Sequence, residues 1–464
     1  MIKSLEIENF RSIYNEKVTF EPLTVLVGAN GSGKSNLVKA IELISEIPRV
    51  GLQFSLSRQG GREGIVPKKV LLKDIGKTQT NIKYTKSLMP PDGVQERPEG
   101  ILVEHDFSFS IKSSGRIQVN KDVMKFYDVL FIAEALRRNE DQGQIPDDHC
   151  CSPNKDSSVT IINKRNSMDF DAVPKIDSEN IEYYLMWLGL GHFVGKMSSP
   201  RDLKNFLKDS LRRRRQFSSS TTPRGRAASD ELLTEPDVVT ICDTAAQFLV
   251  FMSSLKDIRR YDLLLNELRR EQSPSDKEEL SKAGDNMPSA LKNLELDKRA
   301  FARLKSSFNI IAPHIVDVRM DSLKTGKEFV EFVEENSLRR VESWHSSDGS
   351  LRALAILAAL ECAEIGDVII IEEPEQNLHP WAVRTLIDHI REVMEEKSIQ
   401  VILTTHSEQV LERVNPNEVR IATRDVVCGT KFKRIDQLVD DDDLSMGDVG
   451  RMWVKGLLGG VPSA

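Results

Sequence analysis

Eight consecutive residues, Gly28-Ala29-Asn30-Gly31-Ser32-Gly33-Lys34-Ser35, carry the spacing G-x-x-x-x-G-K-S, with Asn36 following. Each residue type has a use when the ligand is a phosphate chain. The glycines let backbone N–H groups close around a β-phosphate, Lys34 spans the β- and γ-phosphates, and the Ser35 hydroxyl ligates Mg²⁺. Farther along the chain, Val368-Ile369-Ile370-Ile371 is followed by Glu372-Glu373-Pro374-Glu375. Four β-branched residues predict a buried strand, and two carboxylates at its C-terminal end could divide the work: Glu372 holds Mg²⁺, directly or through water, and Glu373 orients and polarises an attacking water. Thr404-Thr405-His406-Ser407 ends another β-branched run, which brings an imidazole to the same edge, within reach of a γ-phosphate. Ser347-Asp348-Gly349-Ser350 precedes an apolar helical run and reads either as a second anion cradle or as an ordinary N-cap.

The flanking pattern supplies the elements that would position these groups. Ile2, Leu5, Ile7 and Phe10 predict a first strand, Leu23 to Val27 a short buried strand, and Leu37, Val38, Ile41 and Ile44 the apolar face of a helix starting at Lys34. Helices over 351–364 and 382–395, strands over 368–371 and 400–404, and a helix from Glu408 repeat the alternation. It predicts an α/β fold with a mainly parallel sheet covered on both faces.

The composition is compatible with this and excludes other classes. The 464 residues are 39% hydrophobic and 29% charged with a net charge of −7, which rules out a histone-like polycation. The longest wholly apolar stretch, Ala353 to Leu360, is far short of the roughly 20 residues of a membrane helix. The start Met1-Ile2-Lys3-Ser4 lacks the form of a signal peptide, so a cytoplasmic protein is expected. Five scattered cysteines fit reduced thiols.

Between the two ends the pattern loosens. Pro90-Pro91, Pro98 and Gly100 interrupt it, Gln142 to Ser158 is polar, Ile181 to Val194 is apolar enough for a small core of its own, and Ala245 to Arg270 reads as helical. Arg201 to Arg226 holds nine basic residues against two acids, including Arg212 to Arg215, and reads as a helix running into a basic loop for nucleic acid, for an acidic partner or for solvent. Asp147 to Cys151 lacks paired metal-ligand spacing, and Asp440 to Asp443 reads as a solvated charge run. The expected division is 1–90 and 301–464 for the two parts of the α/β domain, with an inserted, mainly helical region at 91–300.

The order of these motifs resembles the ABC-type ATPases of the RecF, SMC and OLD group. It runs from the phosphate loop through a large insertion and Ser-x-Gly before a helix to Glu-Glu-Pro-Glu, Leu378-His379-Pro380 and Thr-His-Ser. The start Ile7-Glu8-Asn9-Phe10-Arg11-Ser12 and the end Met452 to Gly456 with Gly459 to Pro462 are similar to the stand-alone OLD-type ATPases of anti-phage defence, Septu PtuA first and the PARIS ATPase second. The resemblance implies that Gly28 to Ser35 is Walker A, Ser347 to Ser350 the signature, Glu372 the Walker B acid, Glu373 the catalytic glutamate, Asn377 to Pro380 the D-loop region and His406 the switch histidine. The Q-loop residue is Gln53 or Gln59. Lys34 would join Glu373 and His406 in catalysis, with Ser347 and Gly349 completing the ATP site from a second head. It also implies ATP and Mg²⁺ as ligands, a homo-oligomer built from head-to-tail dimers, and a partner nuclease of HNH type, or Toprim as second choice. A RecF-like DNA clamp is the competing expectation. Two departures stand out: Glu372 where Walker B usually has Asp, and Asp348 where the signature usually has Gly.

Overall fold

The computed structural model describes residues 1–67, 79–88, 101–111, 117–127, 158–164, 167–170, 257–277, 279–335, 340–425, 427–435 and 448–456. The chain divides into two units. One comprises Met1–Leu43, Ile65–Lys73 and Asp257–Ala464, and the other Ile44–Gly64 and Asp74–Lys256.

In the first unit the strands lie in the order Ile2–Phe10, Ile13–Thr19, Gly429–Arg434, Val419–Asp425, Leu23–Val27, Gln400–Thr405, Val368–Glu372, Ile258–Tyr261. The last five are mutually parallel, and the first three join them antiparallel. The sheet is therefore parallel where it carries the charged motifs and antiparallel in the wing formed by both ends of the chain. Leu23–Val27 and Gln400–Thr405 are buried at every position, as parallel strands covered on both faces must be. Helix Pro380–Lys397 makes the crossover between Val368–Glu372 and Gln400–Thr405.

Helix Asp348–Glu361 is apolar almost all round and buried from Ser350 to Glu361, which makes it the central helix of the core. It packs against helices Met287–Leu294, Lys298–Ile311 and Pro380–Lys397. Its last residue, Glu361, is neutralised inside the protein by Arg303 through bonds of 2.6 and 2.5 Å, so this acid does not break the apolar packing. A separate antiparallel sheet, Ile315–Ser322, Glu328–Glu334 and Arg340–Glu342, continues the unit. Helix Asp448–Val454 contributes Val449 and Trp453 to the core.

The central region differs from expectation where it is described. Gln79–Leu88, Ile101–Ile111, Ile117–Tyr127, Ser158–Lys164 and Ser167–Phe170 form an antiparallel meander rather than helices. Alternate residues Thr80, Ile82, Tyr84 and Lys86 are buried, and so are Val103, His105, Phe107, Phe109 and Ile111, a period of two. Polar residues on the inward face dilute that signal in the sequence. The Pro/Gly breaks at 90–100 fall between the first two of these strands. The first unit also resumes at Asp257 rather than 301, and the helix expected over 245–270 is in its described part the strand Ile258–Tyr261 and the short helix Leu265–Arg269. Two arginines inside the strand hide its apolar pattern. Residues 147–151, 181–194, 201–226 and 440–443 lie outside the described residues.

Candidate active site

The phosphate loop connects the buried strand Leu23–Val27 to helix Lys34–Val50. Gly33 adopts φ +109°, and a Cβ there would lie 2.2 Å from Thr430 Oγ1, so only glycine fits. Thr430 Oγ1 donates to Ser32 O at 2.9 Å and lies 2.7 Å from Ser12 Oγ, which accepts from Asn36 Nδ2 at 2.6 Å. The Asn36 amide is thus part of this buttress. Asn30 and Gly31 are exposed on the outer side of the loop, while Ser32 Oγ is buried with no hydrogen-bond partner.

Five of the expected residues converge. Lys34 Nζ donates to Gly28 O at 2.6 Å and Ala29 O at 3.2 Å, and lies 2.9 Å from His406 Nε2. Ser35 Oγ donates to Glu372 Oε2 at 2.8 Å, and Glu373 Oε1 lies 3.7 Å from His406 Nε2. The register explains this: Glu372 pairs with Thr404, and Thr405 with Val27, so the parallel strands end together. Burial pushes the Lys34 ammonium down to about 8, against the raising effect of Glu373, Glu372 and Glu375. Burial and the Lys34 charge also lower His406, with Glu373 opposing. Glu373 sits at φ +48°, a conformation non-glycine residues rarely adopt, directly beyond the strand. Gln376 Nε2 donates to its Oε2.

The donor set fits the implied ligands. A serine hydroxyl beside a carboxylate suits a hard divalent cation, and the unpartnered Ser32 hydroxyl, the glycine-only backbone and Lys34 suit a triphosphate at a helix N-terminus. Ser35 and Glu372 would hold Mg²⁺, which when bound would neutralise charge on the transferring phosphate.

Ser347 and Gly349 sit at the start of helix Asp348–Glu361. Ser347 Oγ caps Ser350 N at 3.1 Å. A Cβ on Gly349 would lie 2.4 Å from Asn377 O, so the segments around Gly349 and Asn377 touch within one chain. Gly349→Ala is expected to force these segments apart at a cost of about 1–3 kcal/mol and to reduce turnover more than nucleotide affinity, as steady-state kinetics alongside nucleotide titration would show.

Four contributing residues escaped sequence reasoning. Arg260 donates through Nε to Glu372 Oε1 at 2.7 Å and through Nη1 to Glu42 Oε2 at 2.9 Å. Glu375 accepts from Thr405 Oγ1 at 2.6 Å and His406 N at 3.2 Å, and burial raises its carboxyl. Arg352 Nη2 caps the carbonyls of Glu372 and Glu373 at 3.0 and 3.1 Å. Thr430 buttresses the loop. Only Glu375 had a signal, since it closes the Glu-Glu-Pro-Glu run.

Residues 1–89 match a model described as an AAA ATPase domain, and residues 248–412 match an AAA domain model whose description ties it to the AbiEii toxin of a type IV toxin–antitoxin system. The two matches leave residues 90–247 and 413–464 uncovered. The DNA replication and repair protein RecF of Synechococcus sp. (strain JA-3-3Ab) is 37% identical over 65 residues, 13% of this chain and 17% of that protein. RecF of Trichormus variabilis is 45% identical over 47 residues, 10% and 12% respectively. These matches thus span under a fifth of the relatives' own length. Among solved structures, the Smc head domain of Pyrococcus furiosus, bound to the C-terminal domain of ScpA, aligns over 94% of this chain and 97% of its own with 14% identity and a TM-score of 0.42. Among the described residues no helix is long and apolar enough to cross a membrane.

Proposed function

We propose that this chain is an Mg²⁺-dependent ATP hydrolase whose heads pair head to tail, the signature of one completing the phosphate site of the other. The convergence of Lys34, Ser35, Glu372, Glu373 and His406 at the common end of parallel strands carries this reading. Lys34 would bind the phosphates, Glu373 would accept the proton of the attacking water, and His406, held by Glu375, would fix that water against the γ-phosphate. Ser347 Oγ accepts from Ser350 N and donates to Ser350 Oγ at the N-terminus of its helix, where in this reading it would face the γ-phosphate held by the other head.

A complementation assay tests the pairing. Lys34→Ala and Ser347→Arg should each abolish turnover alone; mixed, they should recover it, because a hybrid pair retains one intact composite site. Failure to recover, with both variants folded, would remove the head-to-tail arrangement.

We further propose that the ATPase cycle controls a partner nuclease in anti-phage defence, of HNH type or, as second choice, Toprim. This reading rests on the resemblance of the motif order and of the segments 7–12 and 452–462 to the stand-alone OLD-type ATPases. Identity to RecF over 65 and 47 residues favours a second reading, a DNA-binding clamp for repair. Copurification with a small nuclease as a defined particle would favour the first. Binding of duplex DNA by the chain alone, with a steep negative salt dependence, would favour the second.

A further inference from the structure

Asp348 places a carboxylate in the first turn of the helix whose N-terminus, in the head-to-tail reading, meets a γ-phosphate. Left uncompensated, that charge would repel the ligand the helix end is there to attract. The structure compensates it. Arg269, the last residue of helix Leu265–Arg269, approaches Asp348 Oδ1 through Nε at 3.1 Å and also through Nη2. The arginine is itself fixed: Nη1 donates to Trp344 O at 3.1 Å, and its own carbonyl accepts from Ser343 Oγ at 3.1 Å. It thus grips the turn before the signature and the signature acid together. Its neighbour Arg270 is engaged by Glu267 and does not substitute for it.

We propose that Arg269 is a positioning residue for the signature: it neutralises Asp348 and holds the Trp344–Asp348 segment so that Ser347 can meet the γ-phosphate bound by a second copy of this chain. The proposal rests on the head-to-tail reading above. A carboxylate in a first helical turn is already favourable to the helix, so folding alone does not call for the arginine; a phosphate-facing role does. The pair is partly open, with side chains 31% and 46% exposed, so its removal leaves no buried charge and the variants should fold.

The test uses the full chain carrying Glu373→Gln, to slow hydrolysis, and measures ATP-dependent self-association by sedimentation, with amide exchange of residues 343–350 read in parallel. Arg269→Ala should weaken association at least tenfold and speed exchange in that segment. The double variant Arg269→Ala/Asp348→Gly should regain the part of the lost association that comes from the unneutralised charge, while its exchange stays fast. Arg269→Ala associating like the parent, or Asp348→Gly failing to rescue, overturns the proposal alone. A parent that does not associate with ATP overturns the head-to-tail reading and the proposal with it.

Discussion

Glu373→Gln is expected to bind ATP as the parent does while its turnover falls by about 10²–10⁴-fold, the usual worth of a positioned general base. The amide keeps the shape and removes the proton acceptor. Three observations put the residue in that place. Its backbone N–H donates to Thr404 O at 2.9 Å, extending the strand pairing by one residue. Its positive φ then turns the chain at that point. Its carboxylate lies between the Gln376 amide and the His406 ring. Single-turnover kinetics with radiolabelled ATP, together with equilibrium nucleotide binding, separate the two effects; unchanged hydrolysis would remove Glu373 from the role of base.

Arg260→Met is expected to cost about 2–3 kcal/mol of stability, below the usual range for breaking a fully buried ion pair because this one is partly buried. Arg260 is 13% exposed and faces Glu42, also 13% exposed, and Glu372, 22% exposed. Glu42 retains Lys282 and Glu372 retains the Ser35 hydroxyl, so neither acid is left wholly alone. Denaturant unfolding should show the loss. The double change with Glu372→Gln should cost less than the two single changes summed, because they share one interaction. Additive costs would show that Arg260 does not act on Glu372.

The contiguous motifs were legible because each packs its chemistry and its local geometry into a few residues. Gly28 to Ser35 names its ligand, its turn and its helix start together. Val368 to Glu372 and Gln400 to Thr405 could be read as buried strands because parallel pairing in a covered sheet demands unbroken apolar runs. Arg260 and Arg352 could not be found this way: Arg260 is one of two arginines in a four-residue strand, Arg352 is a charge inside an otherwise apolar helix, and their partners lie 112 and about 20 residues away. The meander escaped notice for a related reason, since Thr80, Lys86 and His105 occupy inward positions that a hydrophobic pattern requires to be apolar. The departure at Asp348 looked like a liability in the sequence and proves to be matched by Arg269, which the chain supplies from 79 residues upstream.

Arg352 links two places that a paired assembly would use for different reactions. Five residues, about 8 Å of helix, separate it from Ser347, and its guanidinium grips the two peptide carbonyls on which Glu372 and Glu373 hang. In such an assembly each protomer's helix would begin at one reaction centre and be anchored beneath the other. The two centres would then report to each other through a rigid rod inside each subunit, and the velocity curve against ATP would rise with a Hill coefficient above one.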